Sequence, residues 1–180
     1  MIHSVAVSIG ESSHSVSAQE HAIAIAKLFG ARMRAVGIWE AEAPRVPSAA
    51  GAVSDQMAFA QRALEDLLEK ARRAGVTPEA SKRGEGLPEA LLAEARENDL
   101  LVIGLPERAK AEQDPVVAAV LQVERPLLRS AECMLLAVAR PPEPVGSLLV
   151  DYEGGIGGKS ALRVAGEIAM HASAKVCAFR

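Results

Sequence analysis

The glycine-rich stretch at residues 154–160, GGIGGKS, has the clearest chemical potential in the chain. Glycines followed by lysine and a hydroxyl residue, between a strand and a helix, are the parts of a loop that binds phosphates. The full pattern needs a glycine five positions before Gly158, but Glu153 occupies that position with a negative charge. Only 20 residues follow Ser160, too few for the magnesium-binding strand of a nucleotide hydrolase. We therefore do not expect Lys159 to belong to a complete nucleotide-hydrolysing site.

Serine and histidine residues near the amino terminus suggest two further kinds of chemistry. Ser8, Ser12 and His14 include a nucleophile and a base, but no acidic residue follows at a spacing that would orient the histidine. His14 and His21 could share a helix face as metal ligands, but the sequence has no third ligand at a suitable spacing. We predict capping serines and solvated histidines here, with no catalytic residue and no metal site.

The composition narrows the possible partners. A chain of 180 residues with 49% hydrophobic content and a formal net charge of −3 lacks the positive field that attracts nucleic acid or anionic lipid. No apolar stretch reaches the ~18 residues of a membrane span, and no basic region precedes an apolar run at the amino terminus. Cys133 and Cys177 lie far apart in strand-like segments, which favours buried reduced thiols. We expect a cytoplasmic protein that binds neither nucleic acid nor membrane.

Five short apolar segments alternate with amphipathic segments of helical spacing. The strands are predicted at residues 5–7, 33–39, 76–81, 100–104 and 134–138, and the helices at 17–29, 54–74, 88–98 and from 114 onward. A capping box at residues 17–20 places the start of the first helix at Ser17. Pro78 cannot donate to a strand ladder, so the third strand must lie at a sheet edge. The pattern predicts a Rossmann-like α/β fold: an open parallel five-stranded sheet in the order 3-2-1-4-5, with helices on both faces.

In such a sheet, a ligand crevice lies beyond the carboxyl ends of strands one and four, where the winding direction reverses. The residues expected at this crevice are Ser8, Ile9 and Gly10 after strand one, and Gly104 and Leu105 after strand four.

The chain contains its opening segment a second time. A shift of 143 positions aligns residues 4–37 with residues 147–180 without a gap, and nine of the 34 pairs are identical. Each copy has a strand, a polar loop, an amphipathic helix and a second strand. We predict a domain at residues 1–140, a proline-rich linker at 141–146 and the first βαβ unit of an incomplete second repeat at 147–180. Such a unit cannot cover its own apolar faces, so it must dock on the first domain, exchange with another chain or belong to a longer protein.

Several segments together resemble the universal stress protein family. They are VAV at residues 5–7, the helix at 18–30, NDLLVIG at 98–104 and RSAECMLLAV at 129–138. The resemblance covers residues 2–140, and residues 147–180 resemble the start of a second domain of the same kind. It implies an adenine nucleotide alpha hydrolase-like fold and a stress-response role. It also implies a homodimer, or a tandem pseudo-dimer, for which we favour association at the edge of the fifth strand.

The resemblance also defines where ATP would bind. Family members that bind ATP have an Asp at the end of strand one and a Gly-x2-Gly-x9-Gly-Ser/Thr pattern after strand four. This chain has Ser8 in place of the Asp, and no glycine lies between Gly104 and Gly146. Glycine allows the close approach and positive φ that phosphate-binding amides need. We therefore expect no cofactor in the first domain. Asp151, the counterpart of Ser8 in the second copy, marks the alternative site for ATP.

These expectations favour a non-enzymatic regulatory module that has a degenerate nucleotide crevice and acts through dimerisation or protein contacts. The alternative is an ATP-binding regulator, with slow ATP hydrolysis, whose site lies in the second repeat or is completed by it.

Overall fold

The computed structural model of the chain contains a parallel five-stranded sheet in the longer of two units, residues 2–142. Its strands are β1 (Ser4–Ser8), β2 (Arg32–Ile38), β3 (Pro78–Arg83), β4 (Leu100–Gly104) and β5 (Met134–Val138). Their order is β3-β2-β1-β4-β5, which confirms the predicted topology. Pro78 is the first residue of the edge strand β3, a position where proline is tolerated.

Three described helices belong to this unit: α1 (Ser13–Phe29), α2 (Ala50–Arg73) and α3 (Leu87–Glu97). The structure describes residues 2–10, 12–38, 50–83, 87–105, 133–152 and 154–179. The helix predicted from residue 114 onward, Trp39 and Glu153 lie outside these ranges. Within them, no helix is long and apolar enough to cross a membrane.

Apolar side chains form two separate cores, one on each face of the sheet. The larger core includes side chains from α1 and α2, among them Ala18, Ala22, Ala26, Leu64, Leu67 and Ala71. The smaller core lies beneath α3 and is formed by Ala6, Val36, Leu91, Ala95, Leu101 and Ile103. Each fully buried Val, Leu or Ile contributes about 1.5–3 kcal/mol relative to an exposed position. β1 and β4 have buried residues on both faces and lie at the centre of the sheet.

The first helix begins earlier than predicted. α1 starts at Ser13, and the N-cap residue is Ser12, whose Oγ accepts a 3.3 Å hydrogen bond from the Ser15 amide. The capping box at Ser17 is wrong, because the Ser17 hydroxyl donates to the Ser13 carbonyl inside the helix. Since four serines occupy residues 12–17, several hydroxyls could serve as the cap and their presence alone did not identify which one does.

Asp99 ties the amino end of β4 to that of β1. Its Oδ2 accepts hydrogen bonds from the backbone amides of His3 and Ser4 at 2.7 and 3.0 Å, and from Ser4 Oγ at 3.2 Å. The Asp99 amide donates in return to Ser4 Oγ at 3.0 Å. Partial burial tends to raise the pKa of Asp99, but the three donors together outweigh it and hold the pKa below its usual range.

A buried carboxylate connects α3 to β2 and β3. The Glu94 side chain is 0% exposed and accepts hydrogen bonds from Ser81 Oγ at 2.7 Å and from Asn98 Nδ2 at 3.0 Å. Arg34 of β2 lies 3.4 Å from Glu94 and 2.6 Å from Glu97. These partners satisfy the Glu94 charge, which would otherwise be costly to bury. Their hydrogen bonds and ion pairs hold α3 against the sheet.

The shorter unit, residues 143–180, contains one parallel βαβ element. Its strands β6 (Ser147–Asp151) and β7 (Lys175–Phe179) pair along five residues and are joined through α4 (Ile156–Ala172). Adding 143 to the bounds of β1 and α1 gives the bounds of β6 and α4, and the β6–β7 ladder has the register of β1–β2. Gly30 and Ser173, which end α1 and α4, both have left-handed backbone conformations. The shift of 143 positions that aligns the two sequence copies therefore also aligns their backbone structures residue by residue.

The two cysteines differ in their surroundings. Cys133 is half-buried, and burial raises the pKa of its thiol, which makes it poorly reactive. Cys177 is exposed, so the prediction of two buried thiols is wrong for this residue. The reason is that all five residues of β7 are exposed, although their apolar sequence resembles that of a covered strand.

Candidate functional site at the ends of β1 and β4

The chain leaves the neighbouring strands β1 and β4 in opposite directions. The Ile9 amide donates a 3.0 Å hydrogen bond to the Val36 carbonyl of β2, whereas the Leu105 amide donates a 2.7 Å hydrogen bond to the Val138 carbonyl of β5. Because β1 pairs directly with β4, their carboxyl ends diverge at the centre of the sheet. This is the position at which open α/β sheets bind ligands.

The residues predicted for the crevice flank this point. Ser8 ends β1 and is followed by Ile9 and Gly10, while Gly104 ends β4 and is followed by Leu105. All five are half-buried and none has a charged side chain. These five residues therefore offer a ligand one hydroxyl, backbone groups and apolar surface. The following segment, residues 106–132, lies outside the described part of the chain.

The first turn of α1 packs directly on the end of β4. A Cβ atom added to Gly104 would lie 2.5 Å from the His14 carbonyl carbon and 2.9 Å from the Ser15 amide nitrogen. Side-chain carbons do not approach backbone atoms so closely, so glycine alone fits at this position. The space next to the β4 end is thus occupied by the backbone of α1.

Hydrogen bonds hold this turn against the loop that follows β1. Gln19 Nε2 donates to the Gly10 carbonyl at 2.8 Å, which fixes the loop to the second turn of α1. Ser12 Oγ donates to Ser15 Oγ at 2.8 Å and lies 2.8 Å from His14 Nε2. Because the same Ser12 oxygen caps the helix, its hydrogen-bonding capacity is used in the turn. This geometry is that of a cap and not that of an activated nucleophile.

The two histidines near this site have different partners. His21 Nε2 lies 3.0 Å from the Arg140 carbonyl, whereas His14 is bonded to Ser12. His14 is 8% exposed, so the prediction of a solvated residue is wrong for it. Within the described ranges, no group of three or more His, Cys, Asp or Glu residues is arranged to hold a metal ion.

In the shorter unit, Asp151 is exposed at the carboxyl end of β6, where Ser8 lies in the longer unit. The next amide, that of Tyr152, donates a 2.9 Å hydrogen bond to the Phe179 carbonyl of β7. The backbone at this strand end therefore repeats the β1–β2 side of the first crevice, and the side chain there is a carboxylate.

The glycine-rich stretch of the shorter unit is largely helical. Gly157, Gly158 and Lys159 lie inside α4, and the Lys159 amide donates to the Gly155 carbonyl at 3.1 Å. A phosphate-binding loop needs its glycines in an open loop before the helix, with their amides free for the ligand. In α4, by contrast, Gly157 and Gly158 already belong to the first turn of the helix.

Sequence reasoning missed the charged residues that hold the sheet and α3 together. A signal for Glu94 was present, because Glu94 and Asn98 lie three and seven positions after Leu91 and share its helical face. Arg34 gave a second signal, since it interrupts an apolar strand between Met33 and Ala35. Charged residues at core positions usually have buried partners.

A comparison with protein-family models matches residues 1–139 to the universal stress protein family. No curated protein matches the chain.

Solved structures of similar fold include universal stress proteins from bacteria and archaea. A family protein from Burkholderia pseudomallei has a TM-score of 0.54 and 23% identity, over 76% of this chain and 96% of that one. A universal stress protein in complex with cAMP has a TM-score of 0.53 and 20% identity, over 77% of this chain and 97% of that one. One from Archaeoglobus fulgidus has a TM-score of 0.68 and 12% identity, over 97% of this chain and 66% of that one. At these identities the likeness is one of fold.

Proposed function

The chain belongs to the universal stress protein family, whose model matches residues 1–139, and on that premise we propose that it is a non-enzymatic stress-response regulator. In this proposal the crevice at the ends of β1 and β4 does not hold ATP. The protein acts through contacts with other protein chains, including a second copy of itself.

The absence of glycine after β4 is the observation on which the proposal rests. No glycine occurs between Gly104 and Gly146, and the space beside Gly104 is filled by the first turn of α1. The backbone amides that would surround a triphosphate lack the conformational freedom of glycine. The loss of two charge-assisted hydrogen bonds at about 1.5–3 kcal/mol each removes roughly 3–6 kcal/mol. That corresponds to a reduction in affinity of about a hundredfold to ten-thousandfold.

Calorimetric titration of the full chain with ATP tests this proposal. We expect no saturable heat at nucleotide concentrations up to about 1 mM. A site with a micromolar dissociation constant would have one of about 1 mM after a thousandfold loss of affinity. A parallel titration with cAMP addresses the ligand that one solved relative contains. Saturable ATP binding that Ser8→Trp abolishes would contradict the proposal, because Ser8 lies at the crevice.

A second candidate function is an ATP-binding regulator whose site involves the shorter unit. The exposed carboxylate of Asp151 at the end of β6 favours it, since this is the residue type that ATP-binding relatives have at that strand end. In this case ATP binding would be lost in Asp151→Ala and kept in Ser8→Trp. The same two variants therefore distinguish the two candidate functions. Phosphate release by the wild-type chain would show in addition that it hydrolyses ATP slowly.

For the self-association we propose the free edge of β5. Among the described strands, β5 pairs only with β4, and an unpaired edge can bind the same edge of a second copy. Ala137 is an exposed residue of β5, so Ala137→Lys should block the pairing without disturbing the core. We expect light scattering to give twice the chain mass for the wild type and the chain mass for the variant. A monomeric wild type would refute the assignment.

A further inference from the structure

The outward surfaces of α1 and α4 can be compared residue by residue, because the two helices are equivalent elements of the two sequence copies. Residues seven positions apart are almost two turns apart and lie on one helix face. One such row runs along the outside of each helix. The outer row of α1 is Ser13, Glu20 and Lys27, and the outer row of α4 is Ile156, Arg163 and Met170. All six residues are exposed.

The exposure of the α4 row does not depend on how much of the second copy is present. In the longer unit the α1 row remains exposed, although that unit contains five paired strands and the helices α2 and α3. Further chain that extended the shorter unit into a domain of the same kind would pack on its strands and leave the outside of α4 uncovered. Such chain is therefore not the occupant of the α4 row.

The α4 row has apolar side chains where the α1 row is polar. Ile156 is 88% exposed and Met170 is 77% exposed, whereas their counterparts are Ser13 and Lys27. A helix face that meets only water usually has polar residues. Two large apolar side chains in one outward row indicate a contact with another surface.

The central residues of the two rows have opposite charges. Glu20 and Arg163 are counterparts, and among the described residues neither forms a hydrogen bond or an ion pair. Because each charge lies in the middle of its row, packing α4 on α1 places Arg163 opposite Glu20 for either helix direction. Lys27 then lies against Ile156 or Met170, which its aliphatic stem can cover. Packing α4 on α4 would instead place two Arg163 side chains together.

We propose that the outer row of α4 binds the outer row of α1 in a second copy of this chain, with an ion pair between Arg163 and Glu20 at the centre. Charge complementarity favours this occupant, because the second copy supplies an unpaired carboxylate opposite an unpaired guanidinium. The contact is separate from the edge of β5. Two helix faces bury less than the about 1,200 Å² of a stable interface, so we expect a dissociation constant of about 0.1–1 mM. A dilute sample in light scattering does not reach this range.

Sedimentation equilibrium of the full chain at about 0.01–1 mM covers the expected dissociation constant. The background is Ala137→Lys, since this change blocks the proposed β5 pairing, and we expect its average mass to rise with concentration. Glu20→Arg and Arg163→Glu should each weaken the association about three- to tenfold, because each places like charges opposite each other. The variant with both reversals should associate within about twofold of the background, since the ion pair is restored in the opposite sense.

Two more variants separate the ion pair from other effects. Asp66→Arg is the matched control, because Asp66 is exposed in α2 and its replacement changes the net charge as Glu20→Arg does. Its association should equal that of the background. Ile156→Ser, which introduces the residue type of the counterpart Ser13, should weaken association about threefold through lost apolar contact. Since all these sites are exposed, circular dichroism should show unchanged helix content.

Three results would overturn the proposal. The first is a mass that stays at that of one chain up to about 1 mM, because the α4 row would then not bind a second copy. The second is an association that either single charge reversal leaves unchanged. The third is a double reversal that associates no more tightly than the single ones. A failure of the β5 assignment is read separately, from light scattering of the dilute wild-type chain and of Ala137→Lys.

Discussion

Replacing Gly104 by alanine probes the contact between β4 and α1 most directly. The added Cβ would lie 2.5 Å from the His14 carbonyl carbon and 2.9 Å from the Ser15 amide nitrogen. An ordinary contact requires the first turn of α1 to move by about 1 Å, because the obstructing atoms belong to the backbone and cannot rotate away. That movement disturbs the Ser12 cap and the Gln19–Gly10 hydrogen bond.

The expected loss in the free energy of unfolding combines three contributions. Overpacking costs about 1–3 kcal/mol, and weakening the cap and the hydrogen bond adds about 1–2 kcal/mol. The lower entropy of the unfolded alanine chain offsets about 0.4–1 kcal/mol. These contributions together span about 1–4.6 kcal/mol, so we expect Gly104→Ala to lower the free energy of unfolding by about 3 kcal/mol, a large part of the usual total of about 5–15 kcal/mol.

Urea denaturation followed by circular dichroism measures this difference. Gly10→Ala is the matched control in the same crevice, because its added Cβ would meet the Ser15 side chain, with Oγ at 2.6 Å. The Ser15 hydroxyl can rotate away, but the Ser15 Cβ, at 2.9 Å, is fixed by the backbone. The loop after β1 must therefore shift by about 0.5 Å, less than the turn of α1 for Gly104→Ala, so we expect a smaller loss, below about 1.5 kcal/mol. If Gly104→Ala were as stable as the wild type, the first turn of α1 would not lie against the β4 end. The interpretation of the crevice as filled would then be wrong.

Two further predictions concern the charged residues. Asp99→Asn should destabilise the chain by about 1–2 kcal/mol at neutral pH. Since the pKa of folded Asp99 is lowered, its contribution is present above the unfolded pKa of about 3.9 and is lost as the pH falls through the folded pKa. Urea denaturation at several pH values should therefore show the two proteins converging in acid, and a difference independent of pH would refute this role. Glu94→Leu should cost about 2–4 kcal/mol, because it leaves Ser81 and Asn98 without their buried acceptor. The control Glu97→Gln, at a side chain 49% exposed, should cost less than about 1 kcal/mol in the same assay, and equal losses would contradict the buried network.

The topology of the longer unit could be predicted because its strands differ in character. Residues 100–104 are continuously apolar, as a strand buried on both faces requires, and Pro78 restricts β3 to an edge. Together they leave few possible strand orders, and the observed order is the predicted one. The same order places Ser8 and Gly104 at the carboxyl ends of the neighbouring strands β1 and β4.

Features that depend on packing between distant segments could not be predicted in this way. The Gly104 contact with α1 depends on which of several serines caps the helix, and local sequence did not distinguish Ser12 from Ser17. The burial of Glu94 depends on Ser81 and Arg34, which belong to other elements. The exposure of Cys177 goes with that of all five residues of β7, which an apolar strand sequence does not reveal.

The alanines shared by the two copies indicate what determines the thickness of each helix–sheet layer. Ala22 and Ala26 of α1 are 0% and 1% exposed, and their counterparts Ala165 and Ala169 are the two buried residues of α4. A methyl group is the smallest side chain that still contacts the strands, so these positions let each helix axis approach its strands closely. Nine of 34 aligned pairs are identical, and these two are among them. Both copies thus keep the small side chains at these helix–sheet contacts while most of their other side chains diverged.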